Sequence, residues 1–146
     1  MSIAVIRIRG RVGVRRQIKD TMMMLRLNKK HNCIILPDNN KIYMGMLSLI
    51  KDYVTYGKIN DETLKELLSK RLKRKDKKSI SADVVEKTVK TLKAGKLLKD
   101  IPEIVPVLTL NPPKKGFEDL GIKRTFKQGG SLGLRDDINE LIKRMI

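Results

Sequence analysis

The sequence has few of the side chains from which catalytic and metal sites are usually built. Its 146 residues include one histidine and one cysteine, so neither an internal disulfide nor a usual zinc site can form. His31 stands in the run Lys-Lys-His-Asn, where the neighbouring cations lower the pKa of its imidazole. Cys33 opens an apolar run, which is typical of an inert core thiol. We therefore predict no enzyme, no metal site, no cofactor and no small-molecule substrate.

Aromatic side chains are also scarce. Two phenylalanines, three tyrosines and no tryptophan lie apart from the densest basic runs, whereas proteins that bind unpaired bases place several rings among their cations. No apolar run approaches the length of a membrane span, and no signal peptide precedes the first strand. The sequence predicts a soluble, cytoplasmic protein with no membrane partner, which recognises phosphates and shape rather than unstacked bases.

Positive charge is what the chain has in excess. Its 33 basic and 16 acidic side chains give a net charge of +17. Residues 1–58 hold 12 basic and 3 acidic side chains, residues 59–100 hold 13 and 7, and residues 101–146 hold 8 and 6. Such an excess repels itself in a free monomer, so a polyanionic partner is the economical explanation.

The stretch Ile3–Arg16 organises the N-terminal part. It begins with the alternation of a strand, and Gly10 and Gly13 then interrupt regular structure. No acidic residue occurs before Lys19. A solvated charge run is the ordinary interpretation of such a segment, but the missing acids and the two glycines favour a phosphate-binding loop. Its arginines are Arg7, Arg9, Arg11, Arg15 and Arg16.

The first 58 residues predict the order β-α-β-α-β. A helix over Gln17–Leu27 follows the first strand, and a strand over Cys33–Leu36 precedes a helix over Ile42–Lys51 with no strong cap. A third strand over Tyr53–Tyr56 is stopped by Gly57. We expect the two helices to cover one face of a small sheet and to leave the other face, or the loops, for a partner.

The rest of the chain predicts helices and short strands. Residues 59–100 read as an inserted pair of basic helices, joined by the run Lys70–Lys78, which is either a binding surface or the solvated tail of a helix. Pro106 restricts Ile104–Leu110 to an edge or broken strand, and Ile122–Lys127 is expected to form another strand. A final helix is expected to begin at Asp137, with Glu140 at capping-box spacing and one apolar face formed by Leu134, Ile138, Leu141, Ile142 and Met145.

Two functions fit these features. The first is a structural RNA-binding protein of a large ribonucleoprotein. The alternative is a DNA-binding transcriptional regulator that uses the helices of residues 61–95 as a helix-turn-helix. A recognition helix needs Arg, Asn or Gln side chains aimed at base edges, whereas the second of these helices carries mostly Lys, Asp, Glu, Thr and Val. The RNA-binding function is therefore favoured.

Several stretches resemble one family. They are Arg9–Arg16 running into Thr21–Arg26, Asn111–Gly116, Ile122–Phe126 continuing into Gly129–Gly133, and Ile138–Leu141. In this order they resemble the large-subunit ribosomal proteins of the L-thirty family, whose eukaryotic relative is called L-seven. The sequence lacks the long basic N-terminal extension of the eukaryotic members, which favours an archaeal-type protein.

The resemblance implies an α+β fold with a ferredoxin-like RNA-binding core over 1–58, a basic helical insert over 59–100 and a C-terminal α/β extension over 101–146 that packs on the core. It implies a non-enzymatic constituent of the cytoplasmic ribosome that binds large-subunit ribosomal RNA near the 5S RNA. Further partners would be the 5S RNA itself and neighbouring ribosomal proteins. The RNA-contacting residues predicted on this basis are Arg7, Arg9, Arg11, Arg15, Arg16, Lys29, Lys30, His31, Lys114, Lys115, Lys123, Arg124 and Lys127.

Overall fold

Five helices and a five-stranded sheet make up the protein in a computed structural model that describes residues 1–146. The predicted α+β class and the β-α-β-α-β order of the N-terminal part are confirmed. The elements are β1 (Ser2–Arg7), α1 (Arg16–Met24), β2 (Asn32–Pro37), α2 (Lys41–Ile50), β3 (Val54–Ile59), α3 (Asp61–Arg71), α4 (Ala82–Lys93), β4 (Leu108–Thr109), β5 (Gly133–Leu134) and α5 (Ile138–Met145), with 3₁₀ turns at Leu98–Asp100 and Phe126–Gln128.

The sheet is built around β1, and its strand order is β4-β2-β1-β3-β5. β1 is antiparallel to both neighbours, with Val5 opposite Ile34 on one side and Tyr56 on the other. β4 pairs antiparallel with the start of β2, while β5 pairs parallel with β3. β4 lies at the sheet edge. This agrees with the restriction that Pro106, two residues before the strand, places on the segment 104–110.

Both faces of the sheet are covered, which explains why every residue of β1 is buried. Ile3 and Val5 face α1 and α2, whereas Ala4 and Ile6 belong to a larger core shared with α3, α4 and α5. Of the two surfaces expected to remain free for a partner, the second sheet face is thus occupied, and the loops remain. The boundaries at residues 58 and 100 stay a prediction, since residues on both sides of each boundary share this core.

Three local expectations are wrong. Gly57 does not stop β3, because the strand continues to Ile59. A Cβ at Gly57 would lie 2.2 Å from the carbonyl oxygen of Arg135, so the glycine instead permits the β5–α5 connection to pack closely on β3. Ile122–Lys127 forms no strand, and the strand of this region is β5. Leu134 lies in β5 and is half exposed rather than on the apolar face of α5.

The helix ends also differ from expectation. The side-chain oxygen of Asn40 accepts a hydrogen bond from the Ile42 amide at 3.0 Å, so α2 has a cap that its sequence did not reveal to us. Asp137 precedes α5 but makes no side-chain cap, and its carboxylate faces Arg135 instead. Gly95 follows α4 with φ +81°, in the left-handed conformation expected of a residue just after a helix.

Candidate nucleic-acid interface

One end of the sheet gathers the loops that carry the predicted contact residues. Because β1 is antiparallel to β2 and β3, its last residue lies beside the first residues of both, and β4 ends and β5 begins at the same end. Backbone hydrogen bonds join these segments: the His31 amide donates to the Arg7 carbonyl at 2.8 Å, and the Leu110 amide donates to the His31 carbonyl at 3.0 Å. We call the loops 8–15, 25–31, 110–116 and 117–132, together with the first turn of α1, the basic end.

Arg7 holds the N-terminal loop, residues 8–15, from inside. Its side chain is buried, and its guanidinium donates to three carbonyl oxygens: Leu27 at 2.5 Å, Arg9 at 2.9 Å and Gly10 at 3.0 Å. Burial, and then the charge of Arg11, lower the pKa of Arg7 below its usual value. A contact between Arg7 and RNA stays a prediction, but in this geometry its donors fix the path of the loop.

The other arginines of the loop point outward to different degrees. Arg9 lies over the ring of Tyr53, 5.2 Å from its centroid, and is half-buried. Arg11 donates through Nε to the Asn28 carbonyl at 2.7 Å, which leaves its terminal nitrogens outward and ties the N-terminal loop to loop 25–31. Arg15 is exposed and has neither a side-chain hydrogen bond nor an ion pair. Arg16 makes only a 3.8 Å pair with Asp20, at 95% exposure, which contributes little.

Loop 25–31 presents two free lysines and one inward histidine. Lys29 and Lys30 are exposed and unpaired. The His31 ring stacks on Phe117 at 6.1 Å, and its buried Nδ1 has no hydrogen-bond partner. Burial, and then the charge of Lys30, lower the pKa of His31, which favours the neutral imidazole. His31 as an RNA contact stays a prediction, and its visible contact is with the 110–117 segment.

A buried arginine, Arg135, holds the C-terminal loop 117–132 at the basic end. Arg135 has no exposed side-chain surface; it pairs with Glu118 and, at 3.0 Å, with Asp137, and its guanidinium lies 4.6 Å from the centroid of the Phe126 ring. Burial disfavours the ionised form of Glu118, but the hydrogen bonds and charges of Arg135 and Arg144 outweigh it and lower its pKa. This ion cluster holds the loop that displays Lys123, Arg124 and Lys127.

A groove of about 410 Å³ joins the first and last of these loops. Arg9 and Arg15 line one part of it, and Lys123 and Arg124 line another, although more than a hundred residues separate them in sequence. Within loop 117–132, Gly130 lets the chain pack closely on Arg124, since a Cβ there would lie 2.1 Å from the Arg124 carbonyl oxygen. Four cations around one groove suit a phosphate group.

The charge of the basic end is mostly uncompensated. None of the following has a carboxylate within ion-pair distance: Arg9, Arg11, Arg15, Lys29, Lys30, Lys114, Lys115, Lys123, Arg124 and Lys127. The aromatic rings here are already in use, beneath Arg9, against His31 and against Arg135. The arrangement therefore favours phosphate binding over base stacking.

Three residues that form or support the basic end are absent from the contacts predicted from the sequence. They are Arg26, Tyr53 and the buried Arg135. Arg26 is exposed and adopts φ +60°, a conformation that non-glycine residues rarely take. The pairing of Arg135 with Glu118 spans 17 residues, in which the only regular elements are a short 3₁₀ turn and β5, and leaves no local sequence signal.

The structure does not contain the arrangements that a metal site, a reactive thiol or a helix-turn-helix would need. No three His, Cys, Asp or Glu side chains lie together as metal ligands would, and burial raises the pKa of the Cys33 thiol to about 12. The helices of residues 61–95 do not form a helix-turn-helix, since Lys93 at the end of α4 pairs with Asp61 at the start of α3 and ten residues connect the helices. None of the five helices has the length and apolarity needed to cross a bilayer.

Comparisons with known proteins agree on one family. The family described as ribosomal protein L30p/L7e matches residues 3–54. The chain is 42% identical to the large ribosomal subunit protein uL30 of Methanococcus maripaludis and 43% identical to that of Methanococcus vannielii, with all of each chain covered. It is 42% identical to the uL30 protein of Thermoplasma acidophilum, with 99% of this chain and 92% of the relative covered.

Proposed function

Because the chain belongs to the ribosomal protein L30p/L7e family, we propose that its basic end binds large-subunit ribosomal RNA near the 5S RNA. The archaeal-type family predicted from the sequence is confirmed by the full-length relatives. The chain is accordingly a structural, non-enzymatic constituent of the large subunit of the cytoplasmic ribosome. The RNA contact, its place and its residues are the proposal.

One observation carries the RNA-binding surface. Two loops from the N-terminal part of the chain and two from the C-terminal part meet at one end of the sheet, and their outward cations have no carboxylate partners. Duplex and folded RNA present closely spaced phosphates on which such cations displace counterions. The neighbourhood of the 5S RNA is supported by the family resemblance alone, as are contacts with neighbouring ribosomal proteins.

In the proposed mechanism the N-terminal loop makes the first contact. Arg11 and Arg15 extend from a loop whose backbone Arg7 holds in place, and the bond to the Asn28 carbonyl also orients the Arg11 guanidinium. They bridge phosphates of separate RNA segments and offset the mutual repulsion of those segments. Lys123 and Arg124 close the other wall of the groove.

The salt dependence of binding tests this contact. If the basic end neutralises ~5 phosphates, it should contribute roughly −4 to the log–log slope with which the affinity for large-subunit ribosomal RNA falls with salt. Arg11→Ala with Arg15→Ala should weaken binding and flatten the slope by roughly 2. The matched control is Lys87→Ala with Lys90→Ala, which removes the same charge from exposed, unpaired positions on α4.

Two outcomes would contradict the proposal. If the arginine variant keeps the wild-type slope, the N-terminal loop makes no phosphate contact. If both variants change the slope equally, binding reflects net charge alone. Chemical footprints on the RNA, with and without added 5S RNA, test the place: protection should occur near the 5S RNA contact and should be lost in the arginine variant.

A further inference from the structure

Residues 73–78, the insert loop, form a second concentration of cations away from the N-terminal loop. Only Lys70 and Arg71 of the basic run belong to α3, because the helix ends there and the buried Leu72 turns the chain. The run is therefore not the solvated tail of a helix. Beyond this turn, exposed lysines without any ion pair occupy four of the six positions of the loop: Lys73, Lys75, Lys77 and Lys78.

The insert loop is fixed to the body of the protein. The Lys75 amide donates to the Glu103 carbonyl at 3.0 Å, and the Lys73 carbonyl accepts from the Val105 amide at 2.9 Å. Ile80 packs against the larger core just beyond the loop. A flexible solvated connection would need none of these contacts, so the backbone that carries the lysines is held in place.

A backbone feature connects the insert loop with the basic end. The chain has four non-glycine residues with positive φ, and all four are basic: Arg26, His31, Lys77 and Lys115. Three of them lie in loops of the basic end, and the fourth, Lys77 at φ +56°, lies in the insert loop. Glycine or asparagine would take this conformation with less strain, and strained residues concentrate at functional sites.

Four of the five cations of the insert loop line a groove of about 360 Å³ together with the serine that follows: Lys73, Arg74, Lys77, Lys78 and Ser79. Arg74 is tied to Glu103 at 3.2 Å, whereas the lysines point to solvent. No aromatic side chain lines the groove. Flexible point charges around an open concavity suit the phosphate backbone of an RNA helix, without base readout.

No hydrogen bond or ion pair joins the insert loop to the N-terminal loop. The insert loop is bonded to residues 103–105, which lead into edge strand β4, whereas the N-terminal loop follows the central strand β1. We propose that the insert loop is a second phosphate-binding surface for an RNA segment different from the one at the basic end. This inference rests on the proposed binding of ribosomal RNA, and it makes the protein a clamp between two RNA segments.

Salt-dependent binding of the full chain to archaeal large-subunit ribosomal RNA transcribed in vitro gives the first test. Replacing Lys73, Lys75, Lys77 and Lys78 by Gln should flatten the log–log slope by roughly 3. The control replaces Lys87, Lys90, Lys96 and Lys99 by Gln, which are equally exposed, unpaired and four in number. The control should change the slope by less than about 1, and equal changes in both variants would overturn the proposal.

Directed cleavage gives the second test and separates the two surfaces. Cys33 is fully buried, so a cysteine at an exposed position can carry an iron chelate while the native thiol stays unreactive. Ser79→Cys reports on the insert loop and Val12→Cys on the N-terminal loop. We expect cuts in two different RNA segments, with those from position 79 lost when the four lysines of the insert loop are replaced.

The possible results distinguish this inference from the proposed function. Cuts from position 12 without cuts from position 79 would overturn the second surface and leave the basic end in place. Cuts from position 79 that persist without the lysines would mean proximity without binding, or a site for an acidic protein, and would also overturn it. Absence of cuts from both positions would refute the RNA contact at the basic end as well.

Discussion

Replacing Arg7 and Arg11 each by Met separates two roles in the N-terminal loop: support of the loop by Arg7 and the proposed RNA contact by Arg11. Arg7→Met removes three donors. Leu27 is fully buried, so its carbonyl oxygen loses its partner without gaining water, whereas Arg9 and Gly10 are only half-buried. An unsatisfied buried carbonyl lowers the free energy of unfolding by ~1–3 kcal/mol. The variant also loses the bonds to Arg9 and Gly10, but it no longer buries a charged guanidinium, and this gain offsets part of the loss of those two bonds.

We therefore expect Arg7→Met to lower the free energy of unfolding by about 2 kcal/mol, which corresponds to roughly 4–8 °C in Tm for a chain of this size. Arg11→Met loses one surface hydrogen bond and should change stability by less than about 0.5 kcal/mol. Urea unfolding followed by circular dichroism, at one fixed ionic strength, measures both.

RNA binding should show the opposite contrast. Arg11→Met should flatten the salt slope by about 1, because one phosphate contact is lost. Arg7→Met should weaken binding through a less ordered loop, with a smaller change of slope. If Arg7→Met leaves stability unchanged and flattens the slope by about 1, Arg7 is a direct phosphate contact and the supporting role is refuted.

Three further perturbations follow from the packing. Gly57→Ala should lower the free energy of unfolding in urea by about 2 kcal/mol, because its Cβ would overlap the Arg135 carbonyl. Gly45→Ala, in open space on α2, should raise it by about 0.5–1 kcal/mol. Equal effects of the two substitutions would refute the close approach of Gly57 to Arg135. Arg135→Met should cost about 2 kcal/mol and accelerate amide exchange in loop 117–132, and unchanged exchange there would exclude its holding role. The pKa of His31 is lowered in the folded state, so the unfolded chain binds the proton more readily and stability is lost as pH falls below about 6.5. In His31→Phe the free energy of unfolding should therefore fall less than in the wild type between about pH 7.5 and about pH 5.5. An equal fall in both proteins would show that His31 does not contribute.

Local patterns predicted the first half of the fold well. The alternation in β1 predicted a strand, and the spacing of apolar residues placed α1 and α2 to within a few residues. Errors occurred where distant pairing decides the structure. β5 pairs with β3 across 78 residues, as the bond from the Thr55 hydroxyl to the Gly133 carbonyl illustrates. Nothing near Gly57 in sequence indicates that the β5–α5 connection packs on it, so the local pattern predicts a strand end at this glycine.

The location of the candidate interface was predictable, but the roles within it were not. Net charge and the absence of acids before Lys19 pointed to the N-terminal loop, since electrostatic excess is visible in composition. Which guanidinium faces outward depends on the carbonyls that tertiary structure brings near. Arg7 meets Leu27, twenty residues away, while Arg15 meets nothing. The alternation of the first strand predicts the same orientation for the side chains of Arg7 and Arg9. In the structure Arg7 is buried, whereas Arg9 is half-buried over the ring of Tyr53.

The internal arginines and the strained cations together indicate a surface formed before the partner binds. Residues such as Lys77 and Lys115 stay left-handed in the free chain, at a cost of roughly 1 kcal/mol each, and the net charge of +17 adds self-repulsion. Arg7 and Arg135 hold the adjoining loops against these forces through buried hydrogen bonds and ion pairs. A loop ordered only on binding would need neither the strain nor the buried guanidiniums. The cost of ordering the loop backbones is thus met during folding of the protein, before the proposed RNA partner binds.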